Sequence, residues 1–157
     1  MPKVVLVHPE IPPNTGNIAR TCAATNTELH LVKPLGFELS DRHLKRAGLD
    51  YWPHVKLHCH EDINAFYRVC ESQGGRRIGF SVSGTISHFA WEYQEQDWLL
   101  FGRETQGLSS DVLAACDATV YIPMGQPAVR SLNLSVSVAV GLFESRRQLG
   151  YPQVPPR

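Results

Sequence analysis

Residues 98–108 read WLLFGRETQGL, a short apolar run that leads directly into a loop with two glycines. Four apolar residues in a row are typical of a strand buried on both faces. The same arrangement occurs twice more, where VVLV at 4–7 precedes PEIPPNTGNIAR at 9–20 and where TVYI at 119–122 opens the loop IPMGQPAVRSLNLS at 122–135. Loops that follow parallel strands meet at the carboxyl edge of the sheet, where open α/β folds bind ligands. The sequence therefore predicts one ligand site built from these loops.

Strands and helical patterns alternate along the rest of the chain. Further strands are predicted at 29–32, 55–58 and 77–82, and helices near 17–25, 40–46, 61–73, 109–115 and 134–148. The proline-rich residues 8–16 are predicted to form turns. This alternation predicts an α/β fold with a mostly parallel sheet and helices on both faces.

The composition, with 43% apolar and 19% charged residues, is that of a soluble globular protein. A length of 157 residues predicts a single domain over 1–157, in which residues 152–157 form a loose tail. No apolar stretch approaches the roughly 20 residues that span a bilayer, and the N-terminus lacks the features of a signal peptide. We therefore expect a cytoplasmic protein that does not contact a membrane.

Cysteine and histidine spacing gives no support for a metal site. The four cysteines lack the paired spacing of zinc ribbons and are expected to be reduced thiols, mostly buried. A cluster of His54, His58, Cys59 and His60 is suggestive, but on a strand His58 and His60 share one face while Cys59 points to the other. We predict that the chain binds no metal.

The formal net charge is zero, which excludes a protein coated with basic residues for bulk nucleic-acid binding. Any nucleic-acid partner must be recognised through local charge, as in the basic stretch that contains Arg42, Lys45 and Arg46. The alternative for each basic cluster is a solvated helix face.

The last helical segment, 134–148, carries two adjacent apolar stripes. One contains Val136, Ala139, Val140 and Phe143, and the other contains Leu134, Val138 and Leu142. A helix that is apolar over more than one stripe is buried from more than one side. We expect a homodimer built partly on this helix, with an internal helix in a monomer core as the alternative.

The chain contains neither the GxGxxG of dinucleotide folds nor the GxxxxGKS or GxxxxGKT of phosphate-loop NTPases. Instead, three motifs resemble those of the SPOUT-class RNA 2′-O-methyltransferases. These are Asn14, Gly16 and Arg20 in the first loop, FGRETQGL at 101–108, and IPM followed by SLNLS at 122–135. In order, spacing and length the chain is most similar to the small tRNA (cytidine/uridine-2′-O)-methyltransferases. The resemblance covers nearly the whole chain.

The resemblance implies a fold, a cofactor and a reaction. It implies a C-terminal trefoil knot, which chain topology rules would otherwise reject, and an active site completed across a dimer. It also implies that S-adenosylmethionine methylates the ribose 2′-hydroxyl of the wobble nucleotide in the anticodon arm of tRNA, in leucine isoacceptors. The alternatives are the same chemistry at another tRNA or rRNA position, and a non-catalytic module that binds cofactor or RNA.

The site residues follow from the same resemblance. Arg20 and Asn14, with Ser131 and Asn133, are expected to act on the substrate, although Ser131 and Asn133 are alternatively ordinary helix caps. Arg20 is expected to clamp a phosphate and polarise the hydroxyl, and the proton passes to solvent, phosphate or His8. Arg103 and Arg130, together with Arg42, Lys45 and Arg46, are expected to bind RNA. The expected cofactor-binding residues are Phe80, Gly102, Glu104, Ile122, Met124, Ser131 and Leu132.

Overall fold

The computed structural model describes residues 1–40 and 50–151. Within these ranges the strands are β1 (Lys3–Val7), β2 (Glu28–Val32), β3 (Lys56–His60), β4 (Arg77–Phe80), β5 (Ile86–Ser87), β6 (Trp98–Phe101) and β7 (Ala118–Tyr121). The helices are α1 (Pro12–Ala24), α2 (Ile63–Gln73), α3 (Ser110–Ala114) and α4 (Leu134–Leu149), with a 3-10 turn at Trp52–His54.

The strands form one seven-stranded sheet in the order β3-β2-β1-β6-β4-β7-β5. Every pair of neighbouring strands is parallel. The carboxyl ends of β1, β4, β6 and β7 therefore lie along the same edge of the sheet. This α/β architecture confirms the fold class predicted from the alternation of strands and helices.

Alternate residues of each strand enter two separate core layers. On β1, Val4 and Leu6 belong to the layer that holds α1 and α4, while Val5 and Val7 belong to the layer that holds α2 and α3. Because successive side chains of a strand point to opposite faces, a continuous apolar run such as Val4 to Val7 supplies both layers. Helices therefore cover both faces of the sheet, as predicted.

The start of α1 differs from the prediction. Residues 8–16 were expected to form turns, whereas α1 begins at Pro12 and includes Asn14 and Gly16. Two prolines occupy its first turn, where the fixed backbone angle of proline suits a helix and its missing N–H costs no hydrogen bond. Ile11 precedes them and has no side chain able to cap, so the usual signal of a helix start is absent.

Other element boundaries in the structure differ from the predicted ones by a few residues. β3 begins one residue later and ends two later than predicted, β4 ends at Phe80, and the two-residue strand β5 was not predicted. Strand β5 is too short to show an alternating pattern, and it is fixed by pairing with β7. Residues 41–46 of the helix predicted at 40–46 and the tail at 152–157 lie outside the described residues.

The thiols are free, as expected, although their burial differs. Cys22 and Cys70 are buried, Cys116 is half-buried and Cys59 is exposed. Burial raises the pKa of the Cys22 thiol to about 12, so it stays protonated at neutral pH. None of the helices in the described ranges is long and apolar enough to cross a membrane.

Helix α4 anchors the α1 layer of the core. Asn133 is its N-cap, and Gly150 ends it in the left-handed conformation. Leu134, Val138 and Leu142 are all buried against the sheet. In the other stripe Val136 and Phe143 are 46% and 53% exposed, whereas Ala139 and Val140 are half-buried, so this core covers that stripe only in part.

We expect Leu142→Ala to lower the free energy of unfolding by about 2–5 kcal/mol, because Leu142 is fully buried and truncation leaves a cavity. Urea denaturation followed by circular dichroism measures the change. Val129→Ala is the control, since Val129 is 54% exposed in a loop. A Leu142→Ala protein as stable as this control would contradict the assignment of α4 to the core.

Candidate active site

A pocket of about 290 Å³ lies at the carboxyl ends of β4, β6 and β7. Its walls come from the loops that follow these strands and from the start of α4. The predicted cofactor-binding residues all line it, as do Arg103 and Arg130, two of the predicted RNA-binding residues. The predicted residues that line the pocket are Phe80, Gly102, Arg103, Glu104, Ile122, Met124, Arg130, Ser131 and Leu132.

One side of the pocket is apolar. The rings of Phe80 and Phe101 stack with centroids 4.5 Å apart and planes 20° apart. Both rings pack closely against Gly141 of α4, where an added Cβ would lie 2.7 Å from the Phe80 ring. Met124 and Leu132, which are 41% and 37% exposed, leave apolar surface open to a ligand. This side suits a flat heteroaromatic group.

The opposite side is a tight loop closed by backbone hydrogen bonds. The Arg103 N–H donates to the Gly107 carbonyl (3.2 Å), and the Gly107 N–H donates to the Arg103 carbonyl (2.9 Å). Gly107 has a φ of +67°, and a Cβ on Gly102 would overlap the carbonyl carbon of Gly107. Both glycines are therefore required by the turn itself, and the turn leaves backbone amides and carbonyls at the pocket wall.

Glu104 joins this loop to the start of α1. Its Oε2 accepts a hydrogen bond from the Glu10 backbone N–H (2.8 Å), and its Oε1 accepts one from the Ile11 N–H (3.1 Å). The positive end of the helix dipole favours a carboxylate at this position. Glu104 thus fixes the two residues just before α1, where the N-cap residue Ile11 has no capping side chain.

Thr105 makes the reciprocal contact. Its hydroxyl and its backbone N–H donate to Oε1 of Glu10, at 2.7 and 3.3 Å. The hydroxyl bond is the main reason that the pKa of Glu10 lies below its usual value. Neither Glu10 nor Thr105 was predicted as a site residue, because the two are 95 residues apart in the chain and nothing local indicates the pairing.

A second bond joins the first loop to the third. The side-chain amide of Asn133 donates to Oδ1 of Asn14 (3.0 Å). Oδ1 of Asn133 accepts from the Ser135 N–H (2.9 Å) and thereby caps α4. Asn133 therefore serves as a cap and as a bridge to Asn14, whereas Ser131 is exposed at the pocket wall and is not the cap.

Arg20 lies on the exposed side of α1, away from the pocket lining. Its guanidinium carbon is 6.0 Å from the centroid of the Tyr51 ring, and the Tyr51 hydroxyl donates to the Gly16 carbonyl (2.9 Å). Tyr51 was not predicted as a site residue. Arg42, Lys45 and Arg46, predicted to bind RNA, lie outside the described residues.

His8 directly follows β1 at the same sheet edge and has a φ of +55°. Its Nδ1 is 3.2 Å from the Val32 carbonyl oxygen. Because a carbonyl can only accept, Nδ1 carries the hydrogen and donates it. The other ring nitrogen, Nε2, is then unprotonated in the neutral imidazole and can accept a proton.

The pocket and the loops that enclose it match a known family. A model described as the SpoU rRNA methylase family matches residues 1–143. The chain belongs to this family. The match covers all three loops of the site and most of α4.

Individual relatives carry more specific descriptions. A Yersinia pestis protein named tRNA (cytidine(34)-2′-O)-methyltransferase is 48% identical over 157 residues, covering 97% of this chain and 96% of its own. A solved structure described as giving insight into the 2-OH methylation of C/U34 on tRNA has a TM-score of 0.91 and 51% identity, over 96% and 97% of the two chains. An AdoMet-bound rRNA methyltransferase from Sinorhizobium meliloti has a TM-score of 0.84 and 26% identity, over 94% of this chain and 56% of its own.

We expect Gly102→Ala to lower the free energy of unfolding by about 1–3 kcal/mol, because the new methyl group overlaps the backbone at Gly107. Gly125→Ala is the matched control, since no atom lies within 4 Å of a Cβ at Gly125. Urea denaturation of both variants measures the difference. Equal stabilities of the two variants would contradict the close backbone contact between Gly102 and Gly107.

Proposed function

We propose that this protein transfers a methyl group from S-adenosylmethionine to the ribose 2′-hydroxyl of the wobble nucleotide, a cytidine or modified uridine, in leucine tRNAs. The observation that carries the proposal is the pocket at the carboxyl sheet edge, lined by the residues that the motifs indicated. The close relatives named for position 34 of tRNA support the target.

The pocket fits the cofactor in shape and chemistry. Ile122, Met124 and Leu132 offer apolar surface to an adenine ring, and the turn at Gly102 brings backbone amides and carbonyls to its edge. Glu104 faces the ribose or the charged part, with its carboxylate held by two backbone amides. Bound there, the cofactor supplies an activated methyl group on a sulfonium.

The chain's own task is then to align the hydroxyl and remove its proton. Because Arg20 is exposed and does not line the pocket of its own chain, we assign it to the substrate phosphate and hydroxyl at the pocket of a second copy in the homodimer. Asn14, which is fixed by Asn133, and Ser131 at the pocket wall complete the site. Good alignment alone supplies roughly 7–11 kcal/mol, whereas a general base adds about 10² to 10⁴-fold. Nε2 of His8 is a proton acceptor available in the chain, beside solvent and phosphate.

RNA is held by charge placed around the pocket mouth. Arg103 and Arg130 are exposed there, and we propose that they contact phosphates of the anticodon arm together with Arg42, Lys45 and Arg46. Because the net charge is zero, individual cations such as Arg103 and Arg130 rather than the overall field provide the attraction.

We also propose the trefoil knot. One close approach between distant segments is compatible with it: a Cβ on Gly84 would overlap the Val120 carbonyl group. Glycine at such a position lets two chain segments pass in contact. The family's solved structures share this overall fold.

The function is tested by incubating the protein with methyl-labelled S-adenosylmethionine and tRNA from cells that lack the modification, and then mapping the labelled nucleotide. We expect label on the 2′-oxygen of nucleotide 34 in leucine tRNAs. Arg20→Ala should lower the rate by about 10² to 10³-fold, the usual cost of losing one positioned donor, and Arg68→Ala, an exposed arginine of α2, should not.

Each outcome of this experiment is informative. Label at another position of tRNA or in rRNA would overturn the wobble assignment and keep the chemistry. No transfer to any RNA would leave a module that binds cofactor or RNA without catalysis. Wild-type rates for Arg20→Ala would remove Arg20 from the mechanism.

The exposed stripe of α4 supports a homodimer that uses this helix. Val136 and Phe143 are seven residues apart and both exposed, while Val138 and Leu142 fill the core. We expect Phe143→Glu to shift the protein from dimer to monomer in light scattering, because the introduced charge would be buried. Ala114→Glu adds the same charge to α3 on the opposite face of the sheet and should leave the dimer intact. A monomeric wild-type protein would contradict the proposal.

A further inference from the structure

A cluster of imidazoles and one carboxylate lies on the sheet away from the active-site pocket. It is formed by Glu28 and His30 of β2 with His58 and His60 of the edge strand β3. The pocket lining draws on neither strand. We call these four residues the β2–β3 cluster. The proposed methyl transfer does not use it.

Strand register brings these residues together. His30 pairs with His58 and Val32 with His60 in the parallel ladder. Residues two apart on a strand share a face, so Glu28 and His30 face the same side as His58 and His60. This is the α2 side, because His60 contacts Phe66 of α2 edge-on.

The nitrogen and oxygen atoms of the cluster converge. Nε2 of His30 is 3.1 Å from Oε2 of Glu28, and Nε2 of His58 is 3.9 Å from the same oxygen. One ligand atom from each of the three residues lies within 4.8 Å of the others. Tetrahedral zinc with bonds of about 2.0–2.1 Å holds its ligand atoms about 3.3 Å apart. The His58 ring stacks on the His30 ring, with centroids 4.6 Å and planes 15° apart, so the exposed His58 side chain must rotate for its nitrogen to point at the same metal ion.

Contrary to the prediction from the sequence that the chain binds no metal, we propose that Glu28, His30 and His58 form a binding site for zinc or a similar divalent transition metal. Two imidazoles and one carboxylate are ligands that zinc takes in proteins, with a fourth position left for water. Glu28 and His58 are partly exposed, with 39% and 49% of their side chains accessible, whereas His30 is 2% accessible. The site is therefore open on one side and fixed on the other.

His60 completes the site without binding the metal. Its Nε2 is 2.9 Å from Nδ1 of His30. When His30 binds through Nε2, its hydrogen resides on Nδ1 and is donated to Nε2 of His60. Such a bond to the second ring nitrogen fixes the tautomer and the orientation of a ligating histidine.

Lys3 lies near the cluster, and although burial works to raise the pKa of Glu28, Lys3 contributes to lowering it. The Lys3 ammonium lies 4.3 Å from the centroid of the Trp98 ring, in a cation–π contact. The metal would join the edge strand β3 to β2 and would stabilise the folded chain, because a ligand that binds only the folded state raises its stability.

The test uses the untagged full chain. Zn²⁺ binding is measured by calorimetry, Co²⁺ binding by its visible absorption, and stability by thermal melting with and without Zn²⁺. We expect one Zn²⁺ per chain, a Co²⁺ spectrum of low coordination number, and a higher melting temperature. His58→Ala and Glu28→Gln should each weaken Zn²⁺ binding by at least about tenfold, since loss of an outer-shell partner alone costs about 10 to 100-fold.

Matched controls separate this site from adventitious binding. His54→Ala removes another exposed imidazole, and Glu61→Gln removes another exposed carboxylate; both should bind Zn²⁺ as the wild type does. No binding by the wild type, or unchanged binding in both His58→Ala and Glu28→Gln, overturns the proposal. Because both substitutions are at partly exposed positions, circular dichroism of each variant verifies that it is folded.

Discussion

A single carboxylate holds the site together. Glu104, in the loop after β6, accepts hydrogen bonds from the amides of Glu10 and Ile11 at the start of α1. Because α1 carries Asn14 and Arg20, the position of these residues depends on a carboxylate that is 93 residues from Ile11 in the chain. The reciprocal bond from Thr105 to Glu10 makes the connection two-sided. The pocket wall and the proposed substrate-binding helix are therefore one rigid assembly.

The parallel sheet explains why the other pieces meet at the same place. β1, β6, β4 and β7 are four consecutive strands of the sheet, and all run in the same direction. Their following loops emerge at one edge, where Asn133 bonds to Asn14 across 119 residues of sequence. α4 then packs Gly141 against the stacked rings of Phe80 and Phe101, so the helix that fills the core also supports the pocket wall.

Sequence patterns predicted those strands and helices whose apolar residues follow a local periodic or continuous pattern. The strand 98–101 matches β6, and the helix predicted at 134–148 matches α4 to within one residue, since both have long or continuous apolar patterns. The predicted start of α1 was wrong because no neighbouring side chain caps the helix. The residues before it are instead fixed by Glu104, which is distant in the chain. The pairs Glu10–Thr105 and Asn14–Asn133 were missed for the same reason, as side-chain contacts across the sheet edge leave no local signal. The residues that line the pocket were predicted from the resemblance to family motifs, which relate residues that are distant in the chain.

The role of Arg20 follows from magnitudes. A guanidinium has a pKa above about 12, so its deprotonation at neutral pH costs roughly 7 kcal/mol. That cost is similar to the roughly 7–11 kcal/mol that alignment supplies, and a mechanism that used Arg20 as a base would lose most of this gain. The imidazole of His8, whose Nδ1 is committed to the Val32 carbonyl, offers an unprotonated Nε2 without that cost. A permanent cation on a helix fixed by Glu104 is better suited to hold a phosphate and orient the hydroxyl, and the proton leaves by another route.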